Sequence, residues 1–299
     1  MPVTPPRRCR RDGAAAARLS HVALVALAIF WTPVERAFAE PVSFPQLADP
    51  VAGREDVTFA DLVRLVAPGI AAAGEAASGG GAIDVRHIAG EEWSDPGHEA
   101  LELLKFAAVP TRSGGLDRMA LLLDFGEARY SASGFVVLAL FDVVAGEPRL
   151  LDAADVALDR WTFFAEPVRL PVGAGDDLLV TQSTHFNSSQ AYATAALILV
   201  RNDRLELVDM ISMLDDRACS FERTQRLGIR QGSGAPFADI QATVTELTAD
   251  SGEQCGDAAA PEPGTRMITV AYRWDVAEQR YIADSDAFLL LAQENEERF

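Results

Sequence analysis

Residues 193–200 have the sequence ATAALILV, and residues 135–141 have the sequence FVVLALF. Each stretch is almost entirely apolar over about the length of one β-strand. A strand with one solvated face alternates apolar and polar side chains, whereas a strand that is covered on both faces is apolar at consecutive positions. The two stretches therefore predict strands that lie between other layers of the protein.

Clusters of turn residues divide the chain after Ile83 into short apolar runs. The clusters are SGG at 113–115, AGEP at 145–148, GAGD at 173–176 and ND at 202–203. Short runs rich in β-branched residues with such turns between them are typical of β-hairpins. In Leu205-Glu206-Leu207 apolar and polar residues alternate, as in a half-exposed strand. We therefore expect a mainly β protein built from antiparallel, layered hairpins.

A comparison of the chain with itself suggests that the hairpin is repeated. Residues 136–160 match residues 193–217 at seven of 25 positions, and residues 268–283 show the same strand-turn-strand pattern without a shared register. A true repeat would favour a propeller-like or barrel-like stack of hairpins. Convergent patterning of unrelated hairpins would also explain the matches.

Helices are predicted on both flanks of the β-rich region. Thr58, followed three residues later by Asp61, begins an amphipathic segment that ends near Pro68. Residues 284–298 form the second amphipathic segment, which Asp284 or Ser285 would open. The small residues 71–81, with three glycines at their end, predict a linker. The expected organisation is a leader at 1–39, a helix and Gly-rich linker at 40–81, and a β-rich domain with a C-terminal helix at 82–299.

The first 39 residues predict a cleaved signal peptide. Four arginines between positions 7 and 11 precede an apolar run at 19–31, and Ala37-Phe38-Ala39 has the pattern of a cleavage site. The apolar run is shorter than the roughly 20 residues that a membrane-spanning helix needs. We therefore expect an exported protein, periplasmic or secreted, with no membrane span after cleavage.

The charge of the chain argues against polyanionic partners. The net charge is −18, and because residues 1–39 hold six arginines and two acids, the predicted mature chain carries −22. Nucleic acids and anionic membranes are bound through clustered lysines and arginines, but Lys105 is the only lysine and the arginines are scattered. The preference for Arg over Lys is typical of a GC-rich bacterial genome, which favours a bacterial periplasm.

Two cysteines would remain after cleavage of the leader, Cys219 and Cys255. An even pair in an oxidising compartment predicts a disulfide bond. The bond would close a loop of 37 residues, which the chain-entropy model values at about 3–4 kcal/mol. A redox-active pair is the alternative, but it usually has C-x-x-C spacing.

The densest polar cluster spans residues 87–102 and could hold a divalent metal. A helix at 98–102 would place His98 and Glu102 on one face, and His87 and Glu91 could add ligands. No other cofactor is indicated. The alternative interpretation is a solvated acidic loop, with Pro96-Gly97 at a turn.

A second polar cluster, THFNSSQ at 184–190, falls between two predicted strands, where a rigid scaffold often carries binding groups. His185 could act as a base or ligand, and Asn187, Ser188 and Gln190 could orient a polar ligand by hydrogen bonds. Alternatively, Asn187 and the serines bond to their own backbone and shape the turn.

The chain also contains Trp93, Trp161 and Trp274, which could line a carbohydrate or peptide groove or could instead fill the core. No P-loop, Gly-x-Ser-x-Gly elbow, dinucleotide fingerprint or His-Glu-x-x-His motif occurs. We therefore expect a non-catalytic periplasmic module that binds a protein or a small ligand. The alternatives are a metal-assisted hydrolase using His87, His98 and His185, and a structural envelope protein.

Overall fold

A computed structural model describes residues 42–69, 77–80, 83, 85–90, 100–127, 133–144, 146–173, 175–253 and 261–298 of the chain. This part is mainly β, as the sequence predicts, and it contains two helices. The helices are α1 (Phe59–Val66) and α2 (Ala287–Glu296). The early strands are β1 (Pro50–Val51), β2 (Arg54–Thr58), β3 (Ala77–Gly80), β4 (Arg86–His87), β5 (Ala100–Leu103), β6 (Lys105–Ser113), β7 (Leu116–Glu127), β8 (Gly134–Asp142) and β9 (Arg149–Asp155).

The later strands are longer and follow one another closely. They are β10 (Trp161–Gly173), β11 (Asp176–Phe186), β12 (Gln190–Arg201), β13 (Arg204–Arg217), β14 (Phe221–Gln231), β15 (Ile240–Asp250), β16 (Gly264–Asp275) and β17 (Arg280–Ala283). Strands β10 to β17 form one sheet in which every strand pairs antiparallel with its neighbours in sequence. Short turns between long strands favour this arrangement, because a hairpin needs only a few linking residues.

The other large sheet has five strands in the order β4-β9-β8-β7-β6, and only its β4–β9 pair is parallel. Two small antiparallel pairs, β1–β2 and β3–β5, accompany it. β3 lies within the Gly-rich segment that the sequence suggests is a linker.

Two strands show why their sequences are apolar at consecutive positions. On β8, Val137 and Phe141 pack on the side of α1, whereas Val136 and Leu138 pack on the side of the eight-stranded sheet. β12 likewise divides its side chains between two separate cores, with the Ala196–Ile198 positions alternating between them. The prediction of strands covered on both faces is confirmed for both segments.

The eight-stranded sheet folds back on itself between β13 and β14. These strands pair only at Asp216↔Arg223 and Arg217↔Glu222, whereas β12–β13 and β14–β15 each pair along most of their length. Side chains of β10–β13 and of β14–β17 consequently share one core, which Phe288 and Leu291 of α2 complete. No pairing of β10 with β17 occurs in the described residues, so the sheet is not a closed barrel. A propeller-like arrangement and a true repeat are not confirmed.

Both predicted helices are present, but only α1 begins where the sequence predicts. The backbone N–H of Thr58 donates to Oδ2 of Asp61 at 2.9 Å, which begins α1 at the predicted residue. α2 begins at Ala287, later than predicted, because Asp284 still pairs with the sheet: its N–H donates to the carbonyl of Ala271 at 2.9 Å. Phe288 and Leu291 of this helix are buried, whereas Leu289 is exposed.

The tips of two hairpins join the two large sheets. The N–H of Gly115, at the β6–β7 turn, donates to the carbonyl of Gly175, at the β10–β11 turn, over 3.0 Å. Oδ1 of Asp176 accepts the N–H of Gly114 at 2.5 Å, and Oδ2 of Asp177 accepts the N–H of Arg112 at 2.8 Å. Burial raises the pKa of both carboxyl groups above the usual value. Asp176 and Asp177, at the β10–β11 turn, therefore help to hold the two large sheets together.

The described part of the chain includes no helix long and apolar enough to cross a bilayer. The predicted signal peptide lies outside the described residues, and so does Cys255. Cys219 lies in the turn after β13, where the N–H of Ser251 donates to the carbonyl of Ser220 at 3.1 Å. The chain that leads to position 255 thus passes beside Cys219, and the disulfide bond stays a prediction.

Candidate functional site

A trough opens where the core between the two halves of the eight-stranded sheet meets solvent. It has a volume of about 390 Å³, within the range of small-ligand sites. Its floor is the sheet face formed by the ends of β11 and β12, where Thr184 pairs with Ala193 and Phe186 pairs with Ala191. Because both alanine side chains are small, the floor is shallow and open. We call this feature the trough; its floor includes Gln182, Thr184, Phe186, Ala191 and Ala193.

Aromatic side chains of β10 lie beside the trough, on the same sheet face as its floor. Trp161 of β10 lies opposite Thr184, and Phe163 lies opposite Gln182, so all four side chains share one sheet face. Trp161 is 38% exposed, Phe163 43% and Phe186 66%. The rings of Trp161 and Phe186 are 5.1 Å apart at an angle of 34°. Trp161 therefore supports the more exposed ring of Phe186.

An ion pair forms the other side of the trough. Nη1 of Arg226 on β14 donates to both carboxylate oxygens of Asp215 on β13, at 2.7 and 2.9 Å. Asp215 also accepts the backbone N–H of Gln225 at 2.7 Å, which joins the two strands where their ladder ends. The two charges cancel within the pair, so this side presents no net charge to a ligand.

A buried polar network supports that side from behind. The amide of Gln225 accepts the N–H of Leu214 at 2.9 Å and donates to Glu246 at 2.7 Å and to Asn295 of α2 at 2.9 Å. Burial opposes ionisation of Glu246, but hydrogen bonds from Gln225 and from Arg298 prevail and lower its pKa. The network fixes β14 and α2 against the end of β13.

Two floor residues have hydrogen-bonding groups that the protein does not use. Among the described residues, the side chains of Gln182 and Thr184 form no hydrogen bond, although both are only half exposed and face the trough. An amide and a hydroxyl each offer a donor and an acceptor. Partly buried polar groups normally find partners, so these two groups are available to a ligand.

His185 lies on the other face of the sheet. Because successive side chains of a strand point to opposite faces, the imidazole of His185 points away from Thr184 and Phe186. There its Nδ1 is hydrogen-bonded to Oδ2 of Asp159, and its ring stacks on that of Tyr192 at 4.3 Å. Its position at the end of β11 borders the trough, but its contacts hold the loop that precedes β10.

The other predicted ligand-binding residues shape the turn between β11 and β12. Oδ1 of Asn187 accepts the N–H groups of Ser189 at 3.0 Å and Gln190 at 2.9 Å. The amide of Gln190 accepts from the hydroxyl of Tyr192 at 2.5 Å and donates to the carbonyl of Arg298 at 3.4 Å. Ser188 is exposed beside a smaller hollow of about 230 Å³. Asn187 thus bonds to the backbone of its own turn, as the alternative interpretation of the sequence describes for this residue.

Of the predicted metal ligands, His87 and Glu102 are described, whereas Glu91 and His98 lie outside the described residues. His87 is buried; its Nε2 lies 3.0 Å from the carbonyl of Ala157, and its Nδ1 accepts the N–H of Ala89 at 3.1 Å. Backbone groups thus occupy both ring nitrogens. No three metal-ligating side chains cluster in the described ranges, and the metal site stays a prediction.

Ser183 tests whether the Asp159–His185 pair could activate a nucleophile. It lies two residues before His185 on the same face, but it is fully buried. Its hydroxyl accepts the N–H of Leu158 at 3.0 Å and lies 2.8 Å from the hydroxyl of Thr162. A nucleophile must be reached by both its base and its substrate, so Ser183 does not fill this role in the observed arrangement.

The structure therefore divides the predicted polar cluster at 184–190 between two faces. The predicted residue His185 borders the trough with its ring on the other face, whereas its neighbours Thr184 and Phe186 face the trough. Gln182 was not selected at all. Strand alternation is the signal that could have found them, since it groups residues 182, 184 and 186 apart from 183 and 185. Of the tryptophans, Trp161 borders the trough, and Trp274 packs 4.1 Å from Phe237.

Comparison of the chain with models of protein families, with curated proteins and with solved structures gave no match.

Proposed function

We propose that this protein is an exported, non-catalytic binding module of the bacterial periplasm that holds its ligand in the trough. One observation carries the proposal: unused hydrogen-bonding groups of Gln182 and Thr184 lie beside the exposed rings of Trp161, Phe163 and Phe186. Exposed apolar side chains that are grouped, and not scattered singly, mark sites of interaction. Convergent polar groups beside them give a ligand its orientation.

Two alternatives receive less support. A metal-assisted hydrolase would need His87 and His185 to offer ring nitrogens to a shared metal, but His87 uses both of its nitrogens in backbone contacts. A purely structural envelope protein has no need for half-exposed polar side chains without partners beside three exposed rings. The barrel-like or propeller-like ancestry of the hairpins is not required by the binding proposal.

The proposal is tested by NMR of the purified protein labelled at alanine methyl groups. Ala191 and Ala193 in the floor report occupancy of the trough directly. The screen uses three classes of compound: neutral oligosaccharides, short peptides and small amphiphiles. We expect at least one class to shift the two methyl signals, and to do so far less in Phe186→Ala.

Phe44→Ala is the matched control, because Phe44 is also an exposed phenylalanine, 72% accessible, and is not among the residues that line the trough. The control should respond like the wild type. Failure of every class to shift Ala191 and Ala193, or equal shifts in Phe186→Ala, would refute binding at the trough.

A further inference from the structure

We infer that the ligand of the trough is a neutral glycan, which stacks a sugar ring on Phe186 and bonds its hydroxyl groups to Gln182 and Thr184. The inference rests on the proposed function and adds the chemical class of the ligand. Three features of the trough point to it.

The first feature is the aromatic platform. Phe186 presents a mostly exposed ring, and contact with Trp161 holds that ring in place. Arg160 in turn lies over the ring of Trp161, 5.6 Å from its centre. An aromatic face that is already held loses little entropy when a flat, weakly polar surface packs on it. The C–H-bearing face of a sugar ring is such a surface.

The second feature is the chemistry of the polar groups. A sugar hydroxyl both donates and accepts hydrogen bonds, and so do the amide of Gln182 and the hydroxyl of Thr184. These groups lie at alternate positions of β11, beside Trp161 and Phe163 of the neighbouring strand β10. A polar ligand can bond to both groups without leaving a buried group unpaired.

The third feature is the charge balance. Asp215 and Arg226 are the charged side chains that face the trough from the described residues, and each neutralises the other. No unpaired cation is present there for a carboxylate or phosphate, and no unpaired anion for an amine. The arrangement therefore favours an uncharged ligand.

A peptide fits these features less well. Peptides that bind to sheets usually add a strand at a free edge, where main-chain groups provide the affinity. The floor of the trough is a sheet face, and β11 pairs with a strand on each side over residues 181–184. The hydrogen-bonding groups of the floor that remain available belong to side chains, and recognition of a glycan uses such groups.

Isothermal titration with neutral oligosaccharides tests the inference. The probes are tetrasaccharides of glucose and of N-acetylglucosamine; an anionic tetrasaccharide of galacturonate and a neutral tetrapeptide are the comparators. We expect a neutral tetrasaccharide to bind, Phe186→Ala to weaken it at least tenfold, and Gln182→Ala to weaken it severalfold. Phe44→Ala should retain the affinity of the wild type.

The outcomes separate the two claims. If the neutral sugars do not bind but the tetrapeptide shifts the methyl signals of Ala191 and Ala193, the glycan inference is wrong and the trough remains a binding site. Tighter binding of the galacturonate probe than of the neutral sugars also overturns the inference. If none of these probes binds, the glycan inference is wrong, and the proposed function fails as well if small amphiphiles also leave the methyl signals of Ala191 and Ala193 unshifted.

Discussion

Replacement of Gly175 by alanine tests the joint between the two sheets. Gly175 has a φ of +81°, and a Cβ at this position would lie 2.3 Å from the nitrogen and 2.4 Å from the Cα of Gly115. Both atoms belong to the backbone, so rotation of a side chain cannot relieve the clash. Gly115 faces it with almost the same φ, +79°, yet a Cβ there meets nothing within 4 Å.

Both substitutions therefore place an alanine in the left-handed conformation, but only Gly175→Ala also creates a clash with backbone. The left-handed conformation costs an alanine about 1 kcal/mol at either position. At position 175 the backbone clash adds about 1–3 kcal/mol, as overpacking does elsewhere. We expect Gly115→Ala to lower the free energy of unfolding by about 1 kcal/mol and Gly175→Ala to lower it by about 3 kcal/mol.

Equilibrium unfolding in urea measures both variants, and thermal unfolding provides a second readout. At roughly 2–4 °C per kcal/mol for a domain of this size, Gly175→Ala should melt about 6–12 °C below the wild type. Unchanged slopes of the urea transition would show that both variants unfold from the same compact state. Equal destabilisation of the two variants would refute the close approach of the hairpin tips.

Three further changes test other parts of the structure. Burial raises the pKa of Asp177, so the wild type loses stability as the pH rises from about 4 through the pKa of the folded state. Asp177→Asn lacks this loss. A difference in stability between the two proteins that stays constant from pH 3 to 7 in urea titrations would contradict this expectation. Gln225→Leu leaves buried partners of the amide unsatisfied and should lower the free energy of unfolding by about 3 kcal/mol. Gln231→Leu, at the exposed end of β14, is the control and should change it little. Similar urea midpoints for the two variants would contradict a stabilising role of the network. Cys219→Ser should lower stability by about 3–4 kcal/mol under oxidising conditions, and a wild-type melting temperature that is unaffected by reductant would refute a bond to Cys255.

Elements with strong local patterns could be predicted from the sequence. The consecutive apolar residues of β8 and β12 could be interpreted because coverage on both faces removes alternation, and Thr58 with Asp61 marked the start of α1 through their own hydrogen bond. The fold-back of the eight-stranded sheet could not be predicted, since it depends on only two residue pairs between β13 and β14. A ladder of two residue pairs is too short to produce a periodic pattern in the sequence.

The trough lies beside the turn that carries the predicted ligand-binding residues, but its floor is formed by other residues of β11 and β12. Histidine draws attention because its chemistry is versatile, yet His185 is held by Asp159 and Tyr192 on the far side of the strand. Phe186 and Thr184 have less conspicuous chemistry, and their importance comes from neighbours on β10 and β14 that are distant in sequence. Only the tertiary structure shows which face of β11 is open.

Binding of the ligand at the open face of β11 is the proposal on which the others depend. Its most direct test is the affinity for a trough ligand, identified by shifts of Ala191 and Ala193, in three single variants of consecutive residues: Thr184→Ala, His185→Ala and Phe186→Ala. Binding at this face predicts an alternating result, with affinity weakened by the changes at 184 and 186 and retained after the change at 185. Loss of binding in His185→Ala, with the wild-type affinity retained in the other two variants, would contradict it and move the site to the opposite face of the sheet.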